Sequence, residues 1–518
     1  MSTMIIRVFA VALLLPFCSP GILGAQSART LIDDAAKAMG GMGALRALKS
    51  QAVEAEGKQF NTAFPLQFKP GGQISSFRYT LTRDLTQPRM RFEWEARQLS
   101  RNEDIRFVEV IDGTVGLLQE GSGPAAKQSR LHAGRLATRM RDEKRSAAKL
   151  LLIAAGQKSL RRLSDLDVDG MKNRVLAFKD GDDEFRIYLD AKTSLPTQTD
   201  ILDSDPLEGD TSYLLRYGDW RKVQEVMMPH SLRYEINGRL FQEEQLKSIR
   251  HNATASAEAF SIPESIRNQK PDAAPIPSQW ILRRMAGNVS YQDFGRAPNI
   301  EWLKLADGVH KVAGGSHATV VIEMRDHLVA VEGPLYEART APVVKSIKER
   351  FPGKPIRYMV PTHHHLDHSG GIRAFMAEGA TIIAPFVAKD FHTRVARSPH
   401  TRQPDSLERN KRAVIIEAFG GAPRVLTDGS RRVEVHPMPT SHAEDTVVVY
   451  LQADKMLIEA DHISPRGGQV RPAPLVKEFV VGLDKLGLDV ATIVGIHGDS
   501  ASMQATRVAA QGGKKSGS

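Results

Sequence analysis

Hydrophobic and polar positions repeat with different periods along the chain, and the changes of period divide it. Between Leu31 and Leu48 apolar residues recur at helical spacing around Gly40-Gly41-Met42-Gly43, which predicts two short helices. From about Gln51 to Lys247 the period drops to two. Runs such as Arg91-Phe92-Glu93-Trp94-Glu95, Phe185-Arg186-Ile187-Tyr188-Leu189 and Ser231-Leu232-Arg233-Tyr234-Glu235 predict half-buried strands. Asp180-Gly181-Asp182-Asp183 and Asn237-Gly238 are turn signals between such runs. One helix is expected among them, from Ser146 to Ala155. Residues 252–300 lose both periods, and Pro263, Pro271, Pro275 and Pro277 mark a linker. Beyond Ile300, strand-like runs at Thr319–Ile322, Leu328–Val331, Ile356–Val360, Thr381–Ala384 and Thr446–Leu451 alternate with helical stretches at Ala341–Arg350 and Ile372–Glu378. That alternation predicts an α/β domain.

Composition changes the picture mainly at the N-terminus. The 518 residues are 41% hydrophobic and 25% charged, which excludes a fibrous or wholly disordered chain and leaves room for several domains. Arg7, the apolar run Val8–Phe17 and the small residues up to Ala25 read as a signal peptide, so the expected location is periplasmic or secreted. The only cysteine, Cys18, would leave with it, and any metal site must then be built from His, Asp or Glu. The expected division is a signal peptide at 1–25, a β-rich domain at 26–262 and a linker at 263–298. An α/β domain at 299–505 and a disordered tail at 506–518 complete it. The formal charge of +10 is spread over both halves, so no nucleic-acid partner is expected. Arg130, Arg135, Arg139, Arg141, Lys144 and Arg145 form a local basic cluster, read as a solvated face with loose envelope association as the sharper alternative. The helices followed by many antiparallel strands resemble the half-barrels of envelope lipoprotein carriers.

The densest chemistry lies in Thr362-His363-His364-His365-Leu366-Asp367-His368-Ser369-Gly370-Gly371. Four of the 16 histidines fall within six residues, between a strand and a helix. In extended chain His363 and His365 share a face, and Asp367 and His368 then turn toward a neighbouring point. His442 precedes a strand, whereas Asp461 and His497 end apolar runs, where α/β folds expose functional groups. Imidazoles and carboxylates in this number suit zinc or a similar divalent ion. His364 is expected to point away. His462 is equally compatible with supporting a ligand and with plain packing, and His317 reads as a surface turn, with contact to substrate as the sharper alternative. Neither a phosphate-binding loop nor a Gly-x-Ser-x-Gly nucleophile elbow is present.

This set resembles the metallo-β-lactamase superfamily. His363, His365, Asp367 and His368 match its HxHxDH block, and His442, Asp461 and His497 follow in the family's order. The resemblance implies an αββα sandwich with His363, His365 and His442 on one metal. Asp367, His368 and His497 would hold a second, with Asp461 bridging. The expected cofactor is Zn2+, about two per chain as a filled binuclear site requires, with iron or manganese as alternatives. Aspartate at the bridging position is similar to the lactonase and esterase branches. The chain departs from the family's Asp-x-Gly at Val331-Glu332-Gly333, where Glu332 is a candidate acceptor behind a ligand.

Function follows as an expectation. Two ions would lower the pKa of a bridging water toward ~7, and the hydroxide would attack a carboxylic ester or lactone. Asp367 would orient it and relay a proton to the leaving group. The substrate would be a small or apolar molecule, captured in one version by the N-terminal domain. A β-lactam or amide hydrolase and a mononuclear iron enzyme of sulfur or oxygen chemistry are the alternatives. Substrate specificity is expected in the loops His392–Lys411 and Ser464–Pro474, the second carrying Arg466 and Arg471. Oligomeric state is not legible.

Overall fold

The computed structural model describes residues 26–60, 72–99, 103–253, 256–271, 276 and 299–512. The expected signal peptide at 1–25, most of the expected linker and the last six residues lie outside the described residues.

Period-two patterning gives the N-terminal domain a single 14-stranded antiparallel sheet. The first strand, Ser50–Phe60, pairs on one side with Gln73–Asp84 and on the other with the last, Arg239–His251. One wing meanders forward from Gln73–Asp84 to Lys127–Arg130, and the other runs back from Arg239–His251 to Met171–Asp180. Both wings contribute to one core, in which Phe77, Phe92 and Phe107 share a cluster with Phe178, Ile187 and Tyr213. A sheet this long can bury one face in a single core only by curling round it. The filling includes the helices Ala28–Ala38, Met42–Ala47 and Ala147–Gly156, where Leu31, Ile32, Leu45, Leu150 and Leu151 are buried.

The basic cluster corrects the solvated-face reading. After a short strand at Lys127–Arg130, residues Ala133–Glu143 form a helix whose arginines turn inward. Arg135 and Arg139 pair with the fully buried Glu109, and Arg141 makes a two-point contact with Asp203 at 3.0 and 2.8 Å. Arg145 is fully buried over the ring of Tyr213. Charge alone did not reveal this, because the partners come from strands 26 to 62 residues away.

The C-terminal domain is four layers. A seven-stranded sheet runs in chain order from Glu301–Ala306 to Ile416–Phe419, and a six-stranded sheet from Arg424–Thr427 to Ser500–Ser502. Their inner faces meet in a core of Val320, Ile322, Val329 and Val360 against Val433, Val447, Val449 and Ile458. Helices Glu337–Arg350 and Ile372–Ala377 cover one outer face, and Pro474–Leu486 and Met503–Ala510 the other. This is the expected αββα sandwich. The last helix runs past residue 505 into the stretch expected to be disordered, because Met503, Thr506 and Ala509 recur at helical spacing and are buried. Residues Glu264–Arg267 of the expected linker form a short helix, with Ile262 and Ile266 packed on Val110 and Leu117 of the first domain. Among the described residues no helix is long and apolar enough to cross a membrane.

A hairpin tip joins the domains. Leu207 is buried in the core under the seven-stranded sheet, and Gly209 passes so close to Pro399 that a Cβ there would lie 2.0 Å from its carbonyl oxygen. Asp210 N donates to Pro399 O at 2.7 Å, and Arg402 reaches Asp183. The segment His392–Lys411, expected to shape specificity, is therefore occupied in part by domain docking.

Candidate metal centre

The candidate ligands lie in the loops and the short helix that follow strands of the sandwich. The strand Ile356–Val360 leads into an irregular segment from Thr362 to His365, in which His363 Nε2 and His365 Nδ1 converge to 3.0 Å. The chain then turns into Leu366–Ser369, presenting Asp367 and His368. This turn packs against residues 333–340 so closely that a Cβ at Gly370 would lie 1.9 Å from the Leu335 carbonyl oxygen. A side chain at that position would push the whole histidine loop outward.

Asp461 follows Met456–Glu459 with φ +72, a conformation uncommon outside glycine. Its carboxylate lies between two groups of imidazoles. Oδ2 is 2.8 Å from His442 Nε2, 3.0 Å from His368 Nε2 and 3.4 Å from His363 Nε2, while Oδ1 is 2.7 Å from His497 Nε2. His363, His365, His442 and Asp461 offer ligand atoms within 4.8 Å of one another, and so do His317, His368 and His497.

His317 is the residue that sequence reasoning misplaced. It is buried, not on a surface turn: its ring is 4.1 Å from that of His497 and 5.0 Å from that of His368, and Nε2 is 3.5 Å from Asp367 Oδ2. Arg339 fixes it by donating to its carbonyl at 3.0 Å. Asp367 lies at the rim of this second group, 3.9 Å from His368 Nε2. The apolar strand Thr319–Glu323 just after His317 was the available signal, since it puts the residue at a strand end like the other ligands.

A supporting layer surrounds these groups. Glu332 is fully buried, accepts the Thr362 hydroxyl at 2.6 Å and faces His368 Nδ1 at 3.4 Å. Lys311, also buried, donates from Nζ to Gly495 O at 2.7 Å and Gly498 O at 2.5 Å, clamping both ends of the segment that carries His497. His462 lies between Glu459 and Thr440 at 3.2 Å from each, stacked on Phe479, which places it behind the His442 loop. His364 turns away to Asp445 at 2.7 Å. Arg466 and Arg471 are exposed.

The electrostatics divide the histidines. Burial and the neighbouring His368 bring His363 down to about 3, and burial with the adjacent imidazoles holds His365 well below its ordinary value. For His368 burial opposes charge, but Asp461, Glu332 and Asp367 outweigh it and raise the group. Asp461 is held well below the usual carboxylate range, with His368 and His497 overcoming its own burial.

This donor set fits a divalent cation. His363 points Nε2 at both His365 Nδ1 and His442 Nε2, and burial holds His363 and His365 against protonation, so three ring nitrogens crowd one point. Zinc–nitrogen bonds of about 2.0–2.1 Å put tetrahedral ligand atoms about 3.3 Å apart. The observed separations are 3.0 Å from His363 to His365, 3.2 Å from His363 to His442 and 3.4 Å from His363 to Asp461.

Residues 313–497 match the family model of the metallo-beta-lactamase superfamily, and the C-terminal domain belongs to it. The match supports metal-dependent hydrolase chemistry at the coarse level, and members of the superfamily generally bind divalent metals. Among solved structures, a metallo-beta-lactamase from Pontibacter korlensis is 16% identical, with 41% of this chain and 98% of that one covered at a TM-score of 0.32. DIM-1 metallo-beta-lactamase is 16% identical over 42% and 100%, at 0.33. An enzyme of the same description from Hirschia baltica is 20% identical over 41% and 97%, at 0.31. No curated protein matches the chain.

Proposed function

We propose that the protein is an exported, binuclear, zinc-dependent hydrolase of carboxylic esters or lactones. One observation carries the binuclear reading: the Asp461 carboxylate, with one oxygen toward His442 and the other toward His497, lies between two imidazole groups. His363, His365, His442 and Asp461 would hold one ion. His368, His497 and Asp461 would hold the other, with Asp367 and His317 beside them. When bound, such ions supply a water acidic enough to be hydroxide near neutral pH and a Lewis acid for a carbonyl oxygen.

The chain's own residues do the rest. Asp367, 3.5 Å from His317 Nε2, is placed to orient the attacking water and to hand a proton to the leaving alkoxide. Glu332 and Lys311 keep His368 and His497 in register while charge develops. The ester or lactone reading is supported by a ligand set without a thiol and by aspartate at the shared position. Export is supported by Arg7 and the apolar run after it.

Hydrolysis of an aryl ester, a lactone and a chromogenic cephalosporin, each with and without chelator, tests the proposal. Chelator-sensitive turnover of ester or lactone above that of cephalosporin is expected. Preference for the cephalosporin would move the assignment to β-lactam hydrolysis. No hydrolysis together with one bound iron would move it to redox chemistry.

A further inference from the structure

The N-terminal domain holds a partly open cavity of about 150 Å³, lined by residues between 51 and 246 and sharing no residue with the metal centre. Tyr79, Phe92, Trp94 and Phe107 form one wall, their rings 5.1 to 6.2 Å apart. Tyr213, Tyr217, Tyr234 and Phe241 come from the other wing, with Tyr213 and Tyr234 stacked at 6.2 Å. Protein cores rarely leave a void larger than a water molecule, because an unfilled void costs stability. Here two of the rings are held by arginines that also line the space. Arg139 sits over Phe92 and Arg145 over Tyr213, each at 4.3 Å, and the Tyr217 hydroxyl donates to Arg145 O. The space is therefore preorganised rather than left by loose packing.

Its chemistry narrows the occupant. Its three lining arginines are already paired, Arg83 with Glu143, Arg139 with Glu109 and Arg145 with Asp142, so none of them is left free for an anion. Glu244 accepts the Tyr79 hydroxyl at 2.8 Å and Gln242 Nε2 at 2.5 Å, and a carboxylate has room for a further donor. Burial pushes this carboxyl up to about 7, so at neutral pH it can take either role in a hydrogen bond. A volume near 150 Å³ holds one benzene ring in an apolar cavity elsewhere, which matches a single ring more closely than a long acyl chain. We propose that the cavity binds a neutral, single-ring aromatic molecule bearing a hydroxyl group, a phenol, stacked between the ring walls with its hydroxyl on Glu244.

The test is titration of 4-fluorophenol into the full chain, followed by fluorine NMR. Saturable binding is expected with a dissociation constant of about 1 mM or tighter, the range a ligand of this size permits, and unchanged by chelator. Cyclohexanol, of similar size without the ring electrons, should compete about fivefold more weakly, and decanoate should not compete. Leu215→Trp, which fills the space from its wall, should weaken binding at least about tenfold, with Val53→Phe as a second filling variant should the first fail to fold. Three results would overturn the proposal: no saturable binding, displacement by cyclohexanol or decanoate as readily as by the phenol, or undiminished binding in a folded filled variant.

Discussion

Glu332 and His368 face each other at 3.4 Å, both fully buried, and Glu332 holds φ +83 to make the approach. A non-glycine residue in that conformation is strained, and the strand register places it there: Glu332 N donates to Val360 O at 3.0 Å, and its own carbonyl accepts the Thr319 hydroxyl at 3.0 Å. The longer side chain at this position thus still reaches the ligand loop. Glu332→Gln keeps a partner for Thr362 but removes the charge opposite His368. Its affinity for the second zinc ion is expected to fall about 10- to 100-fold, the usual effect of losing a group behind a ligand. Titration against a competing chelator reads this directly, and unchanged affinity would mean that Glu332 only packs.

Lys311 supports the other imidazole proposed for that ion, since it holds the segment that carries His497. In Lys311→Met two carbonyls, those of Gly495 and Gly498, lose their donor, a change worth about 2–3 kcal/mol of stability. Release of the second zinc should be easier while the first is held as before. Equal weakening of both ions would show a general loss of structure instead of a local one.

Acid sensitivity has a source outside the centre. His392 is fully buried, neither ring nitrogen has a hydrogen-bond partner among the described residues, and burial brings it down to about 4. The folded state binds its proton less readily than the unfolded chain, whose histidine titrates near 6.5. Its stability contribution is therefore complete above about 6.5 and is lost as pH falls from there toward 4. Between pH 7.5 and 5 the metal-free protein should lose about 2 kcal/mol through this residue alone. Denaturant unfolding at the two pH values should show that increment in the wild type and not in His392→Leu.

Docking of the two domains is open to the same kind of test. Leu207→Ala removes the side chain that the N-terminal hairpin inserts under the C-terminal sheet, at a cost of about 2–5 kcal/mol. If the tip couples the domains, calorimetry of the variant will separate into two transitions where the wild type gives one. A single transition at an unchanged midpoint would argue that the tip is dispensable.

Much of this was legible in the chain, for reasons that particular residues make clear. The strands Leu328–Val331 and Ile356–Val360 fall where their mainly apolar runs lie, the first buried throughout and the second exposing only Arg357. Six of the seven expected ligands come together in the two groups because strand ends and residue type sufficed to find them. Asp367 stands at the rim, and His317 takes the place beside His368 and His497. Beyond the apolar strand that follows it, His317 in Gly-Gly-Ser-His carried no sign of its partners, which arrive from 51 and 180 residues away. The helix Ala133–Glu143 was illegible for a related reason. Its arginines read as surface until Glu109 and Asp203 are brought to them by the sheet.

The central claim is that two groups of imidazoles share Asp461 to bind two ions. Metal content of the purified chain, measured beside that of Asp461→Ala and His363→Ala, tests it most directly. About two zinc ions per chain are expected for the wild type, as a binuclear site requires. His363→Ala should lose one of them, and Asp461→Ala should weaken both. A wild type that binds no metal, or an Asp461→Ala chain that retains both ions, would contradict the account.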